Sequence, residues 1–140
     1  MKANYHTHTV RCRHAVGDER EYIENAIAAG MKILGFSDHT PQFFKSGYVS
    51  GMRMTPDEAP EYVSCIKNLA EEYSGKIKIY TGFEAEYFPS LFPELKRFCT
   101  EHNVDYMIMG QHFLENEDGG YYVARAAATE KCLKNMLTRL

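Results

Sequence analysis

The 140-residue sequence lacks the long apolar segments that a membrane protein needs. No run approaches the roughly 20 apolar residues that span a bilayer, and the N-terminus lacks the apolar core of a signal peptide. Basic charge is not in excess either, because 16 Lys and Arg residues stand against 19 Asp and Glu, for a net charge of −3. A basic patch is the usual mark of a nucleic-acid surface. These absences favour a cytoplasmic protein with no membrane and no nucleic-acid partner.

Cysteine is sparse and shows no pairing pattern. The four cysteines are Cys12, Cys65, Cys99 and Cys132. None forms a Cys-x-x-Cys motif, and their spacing suggests no disulfide framework. Cys65 and Cys99 fall within apolar helical patterns and are predicted to be small buried hydrophobic residues. Cys12 lies in a histidine-rich loop, where we expect it to fill the loop, with metal contact as the alternative.

Internal repeats, low-complexity stretches and linkers are absent as well. One domain's length and 44% hydrophobic content predict a single globular domain. Strand patterns alternate with helical ones along it. The predicted strands cover residues 1–5, 33–36, 76–81 and 106–109, and the last is an apolar run of the kind that is buried on both faces. Such alternation implies an α/β fold with parallel strands and helices packed outside.

Local capping signals mark where the helices begin. Asp18 followed by Glu21 resembles a capping box, and Gly30 provides a stop for that helix. Thr55 followed by Pro56 predicts the start of the second helix. Three further elements complete the prediction: a helix over residues 91–99, a turn over 116–120 and a helix over 129–140.

Histidine and acidic residues follow the predicted strands, and parallel strands bring such carboxyl ends together. The set comprises His6, His8 and His14 after the first strand, Asp38 and His39 after the second, Glu84 and Glu86 after the third, and His112 after the fourth. His6 and His8 are two residues apart, so an extended chain presents both imidazoles on one face. His102 is the exception, and we expect it to cap the third helix or to face solvent.

Five imidazoles on one rim repel one another when they are charged. Divalent cations resolve that conflict, since they bind neutral imidazole together with ionised carboxylate. Five histidines are too many for one tetrahedral ion, so we predict two or three metal ions with Glu84 as a bridge. Zinc, iron and manganese all suit this mixed ligand set. Such a cluster lowers the pKa of bound water and clamps phosphoryl oxygens, which suits hydrolysis of phosphate monoesters.

Three residues of this rim keep more than one interpretation. His14 is predicted to be a metal ligand, with a loop-capping role as the alternative. Asp38 is predicted to orient an imidazole, with direct metal binding as the alternative. Glu86 can be a ligand, a substrate contact or a solvated charge.

Arginines near the rim are candidates for holding a phosphate group. Arg53 lies between two methionines in the long loop after the second strand. A guanidinium in such a loop can grip phosphate with two parallel hydrogen bonds. The alternative is a side chain that faces solvent. Arg11 and Arg13 are further candidates of the same kind.

Five segments combine the candidate ligands with a characteristic context. They are His6-Thr7-His8-Thr9, Cys12-Arg13-His14-Ala15, Gly35-Phe36-Ser37-Asp38-His39-Thr40-Pro41, Gly82-Phe83-Glu84-Ala85-Glu86-Tyr87 and Gly110-Gln111-His112-Phe113. Together they resemble the PHP (polymerase and histidinol phosphatase) superfamily, and within it the histidinol-phosphate phosphatases. The resemblance implies a (β/α)7 barrel with a trinuclear metal centre. It also implies release of phosphate from histidinol phosphate, a late step of histidine biosynthesis.

The resemblance further implies roles for individual residues. His6, His8 and Glu84 match ligands of a first metal, Glu84 and His112 match ligands of a second, and His14 and His39 match ligands of a third. Glu84, His112 and Arg53 are the implied catalytic residues. The loop around Arg53 looks like the loop whose arginines bind substrate phosphate in the phosphatase branch.

The chain departs from this family in its length. Family members carry seven βα units, whereas four are present here, so the expected fold is an incomplete (β/α)7 barrel. The family also implies a further histidine ligand and a late Asp-x-His pair, yet no histidine follows His112. We therefore expect residues 1–140 to be a partial PHP domain, the N-terminal half. Open strand edges and apolar surface favour association, so it is either a fragment or a half-barrel that pairs with another chain, as a homo-oligomer or with the missing half.

Three functional hypotheses follow from these observations. The first is a metal-dependent phosphatase of the histidinol-phosphate type, in which metal-activated hydroxide attacks phosphorus and Arg53 helps to hold the phosphate oxygens. The second is a truncated, catalytically silent metal-binding half-barrel. The third is a nuclease or processing domain on the same scaffold, against which the acidic net charge counts.

Overall fold

The computed structural model describes residues 2–113 and 116–118. Within these residues the β-strands are β1 (Ala3–Asn4), β2 (Ile33–His39), β3 (Lys78–Ala85) and β4 (Tyr106–Met109). The α-helices between them are α1 (Glu19–Ala28), α2 (Ala59–Glu72) and α3 (Phe92–Glu101), and a short 3-10 helix covers Val10–Cys12. No helix in this described part of the chain is long and apolar enough to span a bilayer.

The strands form one parallel sheet in the order β1-β2-β3-β4. Each of the first three strands is followed by a helix that carries the chain back to the start of the next strand, as parallel pairing requires. The sheet curls into a half-barrel with the helices between its strands. The predicted α/β fold, an incomplete barrel of βα units, is confirmed.

β2 and β3 extend further toward their carboxyl ends than the sequence predicted. Their pairing continues until His39 lies directly beside Glu84, and the Thr40 N–H still donates to the Glu84 carbonyl at 3.0 Å. The candidate ligands of these strands therefore lie within the sheet rather than in flexible loops. β1 is shorter than predicted. Beyond its end the chain still runs beside β2, because the Ser37 N–H donates to the Thr7 carbonyl at 2.8 Å.

α1 begins as the sequence predicted. The Glu21 N–H donates to Asp18 Oδ1 at 2.9 Å, and the Asp18 N–H donates to Glu21 Oε2 at 3.2 Å. This reciprocal pair is a capping box. Gly30 follows the helix with a φ of +73°, a left-handed conformation that glycine adopts without a steric penalty.

α2 begins at Ala59, three residues after the predicted Pro56. The intervening residues form a turn, in which the Glu58 carboxylate accepts the Thr55 N–H at 2.7 Å. The physical reason is Pro60, which has no N–H to donate to the carbonyl four residues earlier. A regular helical ladder therefore cannot start at Pro56.

α3 ends at Glu101, and His102 is its C-cap residue as predicted. The His102 ring lies 4.3 Å from the Phe98 ring, measured between centroids. Its backbone carbonyl accepts a hydrogen bond from Lys67 Nζ at 2.7 Å. His102 thus stabilises a helix end and takes no part in the rim of histidines.

The helices pack on one face of the sheet around a common core. Phe36 and Phe83 from the sheet, and Ile23, Ile66 and Leu95 from the three helices, are completely buried. Alternate strand residues point to opposite faces of a sheet. The intervening positions of β2 and β3 therefore face the inside of the half-barrel.

On this inner face, two glycines make room for one aromatic ring. A Cβ at Gly35 would lie 2.3 Å from Tyr106 Oη, and a Cβ at Gly82 would lie 2.4 Å from ring carbons of Tyr106. The Tyr106 hydroxyl lies 2.8 Å from the Tyr5 carbonyl and 3.1 Å from the Phe36 carbonyl. The ring from β4 thus crosses β3 and β2 and ties together the strands that carry the candidate ligands.

The prediction that β4 is buried on both faces is wrong. Met107 and Met109 are 40% and 78% exposed. The reason is that β4 is the edge strand of the sheet within the described residues, so it has a neighbour on one side. The predicted fourth helix, residues 129–140, and Cys132 lie outside the described residues. The predicted turn after β4 is present at residues 117–118.

Candidate metal centre

The carboxyl ends of the strands bring the predicted metal ligands into one cluster. Ring centroids of neighbouring imidazoles lie between 4.7 and 5.3 Å apart. The pairs are His6 with His8, His8 with His14, His8 with His39, His14 with His39, and His39 with His112. All five predicted histidines and Glu84 therefore lie close enough to share bound ions.

The Glu84 carboxylate lies in the middle of this cluster, and the residue is only 5% exposed. Its Oε2 is 3.4 Å from His6 Nε2, 3.3 Å from His8 Nε2 and 3.2 Å from His39 Nδ1. Its Oε1 is 3.9 Å from His112 Nε2. Two oxygens that face different imidazoles are the arrangement expected of a carboxylate that bridges two metal ions.

Three groups of candidate ligand atoms each fit within 4.8 Å. They are His6, His8 and Glu84; His39, Glu84 and His112; and His8, Cys12 and His14. The first two groups share Glu84, so they can hold adjacent ions. The family resemblance assigned His39 to a metal together with His14, whereas this geometry groups His39 with Glu84 and His112.

The backbone leaves space for the Glu84 carboxylate at Gly110. A Cβ at Gly110 would lie 1.9 Å from Glu84 Oε1, well inside any permitted contact. A residue without a side chain is therefore required for the carboxylate to occupy this position. The sequence includes Gly110 in a recognisable motif but carries no local signal for this contact, because it joins two different strand ends.

His39 is held as a neutral imidazole. Burial of its ring, together with the positive charge of Arg53, lowers the pKa of His39 from 6.5 to about 2. The Nδ1 atom of His39 is buried, faces the Glu84 carboxylate and makes no hydrogen bond within the described residues. Buried nitrogens without a hydrogen bond, beside a carboxylate, fit a metal site because divalent ions bind neutral imidazole and carboxylate oxygen.

Asp38 is completely buried and anchors the segment that carries the first two histidines. Its Oδ1 accepts the Thr9 N–H at 2.9 Å, and the Thr9 hydroxyl donates to its Oδ2. Asp38 Oδ1 also faces His8 Nδ1 at 3.5 Å. These contacts support the predicted role of Asp38 in orienting His8.

Cys12 lies next to the cluster as a buried thiol. Its Sγ–H donates to the Thr9 carbonyl at 2.9 Å, and burial raises the pKa of the thiol, which favours the predicted loop-filling role. His14 Nδ1 lies 2.8 Å from the Cys12 carbonyl, which leaves Nε2 as the atom able to bind a metal. Of the other cysteines described, Cys99 is buried as predicted and Cys65 is partly buried.

Arg53 is 1% exposed, so the alternative of a solvent-facing side chain is wrong. Its Nη2 donates to Glu86 Oε1 at 2.7 Å, its Nε donates to Glu117 Oε2 at 2.7 Å, and its Nη1 donates to the Thr40 carbonyl at 3.1 Å. A grip on phosphate would require some of these bonds to break. The geometry therefore counts against a direct contact between Arg53 and substrate phosphate.

Two buried glutamates surround this guanidinium. Glu86 is completely buried, which rules out a solvated charge, and its Oε2 accepts the backbone N–H groups of His112 and Phe113, both at 3.0 Å. Glu117, which the sequence placed only in a turn, is also buried and accepts the Ser50 hydroxyl at 2.5 Å. No local pattern marks Glu117, because its partners lie in the distant loop after β2.

The other two candidate arginines differ in their surroundings. Arg11 pairs with Glu19 of α1 and with Glu61 of α2, where its Nη2 lies 2.9 Å from Glu61 Oε2. Arg11 therefore ties the histidine-rich loop to two helices. Arg13 exposes 43% of its side chain and lies 3.7 Å from Glu58. Arg13 thus has the more accessible guanidinium.

Known proteins resemble this chain over most of its length. The family model described as the PHP domain matches residues 4–139. A "probable histidinol-phosphatase" from Deinococcus radiodurans is 33% identical over 109 residues, which cover 78% of this chain and 41% of the relative. The histidinol-phosphatase of Bacillus subtilis is 29% identical over 123 residues, which cover 84% of this chain and 46% of the relative.

Solved structures show the same partial match. A "putative histidinol phosphatase" from Listeria monocytogenes superimposes with a TM-score of 0.71 at 21% identity, over 94% of this chain and 51% of that one. The Lactococcus lactis histidinol phosphate phosphatase, complexed with zinc, L-histidinol and phosphate, gives a TM-score of 0.66 at 27% identity, over 85% and 44%. The chain thus spans about half or less of the length of these relatives.

Proposed function

This chain belongs to the PHP domain family, and we propose on that premise that it is the N-terminal half of a metal-dependent phosphoric monoester hydrolase acting on histidinol phosphate. The observation that carries this proposal is the Glu84 carboxylate, whose two oxygens face four imidazoles at 3.2 to 3.9 Å. Relatives named histidinol-phosphatase support the reaction class, and one solved relative holds zinc, L-histidinol and phosphate. The substrate is accordingly a small phosphorylated molecule.

Six residues would hold two or three divalent ions: His6, His8, His14, His39, Glu84 and His112. Glu84 would bridge two of the ions, since each of its oxygens faces a different set of imidazoles. The zinc-bound relative favours zinc, and manganese or iron also suit imidazole with carboxylate. The cytoplasmic location stays a prediction from the sequence.

Bound divalent ions supply two things to phosphate ester hydrolysis: a water of lowered pKa and neutralisation of the phosphate oxygens. His39 is already neutral, so it can bind an ion without first losing a proton. Glu84 and His112 remain the proposed catalytic residues, because both face the centre of the cluster. Arg53 is left out of direct phosphate binding because its donors already serve buried acceptors.

A second candidate function is a metal-binding half-barrel without turnover. The observation that favours it is coverage, since the chain spans only 41% of the Deinococcus radiodurans relative and 46% of the Bacillus subtilis relative. A polypeptide that forms half of a barrel contributes half of the residues that surround the substrate in the complete barrel. It can keep the cluster of ligands and lack the groups that complete catalysis.

Release of inorganic phosphate from histidinol phosphate separates these two functions. The full 140-residue chain is stripped of metal and then resupplied with zinc or manganese. We expect metal-dependent release that falls to the metal-free level in His8→Ala, because this change removes an imidazole facing Glu84. The matched control is His102→Ala, which removes a histidine at the end of α3 and should leave release unchanged.

Each outcome of this assay points to one candidate. Folded, zinc-loaded chain that releases no phosphate would contradict the hydrolase and support the silent half-barrel. A chain that binds neither zinc nor manganese would contradict both candidates. Equal loss in His8→Ala and His102→Ala would show a general defect of folding instead of a role for His8.

A further inference from the structure

We propose that Glu86 and Arg53 are positioning residues that hold His39 and His112 in place around Glu84. This inference rests on the proposed metal centre and adds two residues that are not among its ligands. Both residues are almost inaccessible, with Arg53 1% and Glu86 0% exposed. They therefore act through the residues they contact and not through substrate.

Glu86 acts on the segment that carries His112. Its Oε2 accepts two consecutive backbone N–H groups, those of His112 and Phe113, each at 3.0 Å. Its Oε1 also faces His112 Nδ1 at 3.4 Å. One carboxylate thus fixes both the backbone and the ring of His112, with Nε2 on the side of Glu84.

Arg53 connects this anchor to the other side of the cluster. Its Nη2 donates to Glu86 Oε1 at 2.7 Å, and its Nη1 donates to the carbonyl of Thr40, the residue directly after His39, at 3.1 Å. A planar guanidinium holds its donors in a fixed arrangement. Arg53 therefore sets the distance between the ends of β2 and β4, from which His39 and His112 reach Glu84.

The charges in this buried cluster support a positioning role over a purely stabilising one. Arg53 pairs with two carboxylates, those of Glu86 and Glu117. Charges removed from water are costly, and well-packed apolar residues can often replace a buried ion pair without loss of stability. What apolar residues cannot reproduce is the set of directed hydrogen bonds that connects the end of β2 with the segment after β4.

Zinc binding by the full chain, measured by equilibrium dialysis, tests this inference. Glu86→Gln keeps the size of the side chain and removes the charge that faces Arg53. We expect zinc affinity to fall by about 10- to 100-fold at one site, the usual effect of removing a carboxylate that supports a metal ligand. Arg53→Lys keeps a positive charge but cannot reach all three acceptors, so we expect a smaller fall in the same direction.

Two readouts separate positioning from general destabilisation. Amide hydrogen exchange at His112 and Phe113 should speed up in Glu86→Gln, because the acceptor of both N–H groups is weakened. The visible spectrum of the cobalt-loaded chain should change in Glu86→Gln as the ligands around that site shift. Leu95→Ala is the matched control, since it opens the core under α3 without touching the Arg53–Glu86 pair.

Zinc affinity equal to the parent in both Glu86→Gln and Arg53→Lys would overturn the inference while leaving the metal centre intact. The inference is also overturned if Leu95→Ala and Glu86→Gln lower the free energy of unfolding equally and weaken zinc binding equally. If Glu86→Gln does not fold, Arg53→Lys decides by the same measurement. A parent chain that binds no zinc would overturn the metal centre itself and the positioning roles with it.

Discussion

At the scale of single residues, the candidate site depends on contacts between distant parts of the chain. Glu84 reaches its imidazoles because Gly110 presents no side chain in its way. Asp38 orients His8 partly through its bonds to Thr9. Each of these contacts joins parts of the chain that are far apart in sequence, so a single substitution can disturb the metal site and leave the hydrophobic core unchanged.

Replacement of Gly110 by alanine tests this dependence. The added methyl group would lie 1.9 Å from Glu84 Oε1, so the carboxylate must move away. The clashing atoms end a flexible side chain, so we expect the fold to persist. Zinc affinity should fall by about 10-fold or more, in line with the cost of disturbing groups around a metal. Equilibrium dialysis and circular dichroism measure the two effects.

Gly51→Ala is the matched control for this substitution. A Cβ at Gly51 meets no atom within 4 Å in the described structure, so this change should leave zinc affinity unaltered. Equal zinc affinity in Gly110→Ala and the parent would show that Glu84 is not needed where the structure places it.

At the scale of elements, residues near each helix start decide where the helices begin. Pairing between residues far apart in sequence decides where β2 and β3 end. The capping box of Asp18 and Glu21 sets the start of α1, and Pro60 delays the start of α2. β2 and β3 extend beyond their apolar patterns because each offers the other hydrogen-bonding partners. This extension places His39 and Glu84 on rigid strands.

The capping box makes a measurable contribution to stability. Asp18→Ala removes the acceptor for the Glu21 N–H, so we expect the free energy of unfolding to fall by about 1 kcal/mol. Urea denaturation followed by circular dichroism measures this change. Asp57→Ala, in the exposed turn before α2, is the control and should alter stability far less. Similar losses in the two variants would argue against the cap.

At the scale of the whole molecule, the sheet formed by the described residues ends at an unpaired edge of β4. Within the described residues, no strand pairs with the outer side of β4, and Met109 is 78% exposed. An unpaired edge with apolar side chains is a ready surface for association. A complete barrel removes such edges by closing on itself.

We expect copies of this chain to associate through β4. Sedimentation velocity over a range of concentrations should show species larger than the monomer. Met109→Lys should shift the distribution toward the monomer, because a charged side chain at a strand edge opposes pairing. Val49→Lys, which changes an exposed apolar residue in the loop after β2, is the control and should have little effect. A monomer at every concentration tested would rule out this association.

Much of the fold and most of the candidate site could be predicted from the sequence. The order of strands and helices, the capping box and the joining of five histidines with Glu84 all followed from patterns within a few residues. Roles that depend on burial could not be predicted. For Arg53 the sequence suggested a grip on phosphate or a solvent-facing side chain. Its pairing with Glu86 and Glu117 exists only because three loops meet.

The sequence by itself determined which chemical groups stand at the strand ends, because hydrophobic periodicity sets the strands and residue type sets the ligand chemistry. Only the tertiary structure decided how those groups are held. The space at Gly110, the neutral state of His39 and the buried bonds of Arg53 arise from packing between segments far apart in the chain. Burial and distance are properties of the folded arrangement, and no stretch of sequence carries them alone.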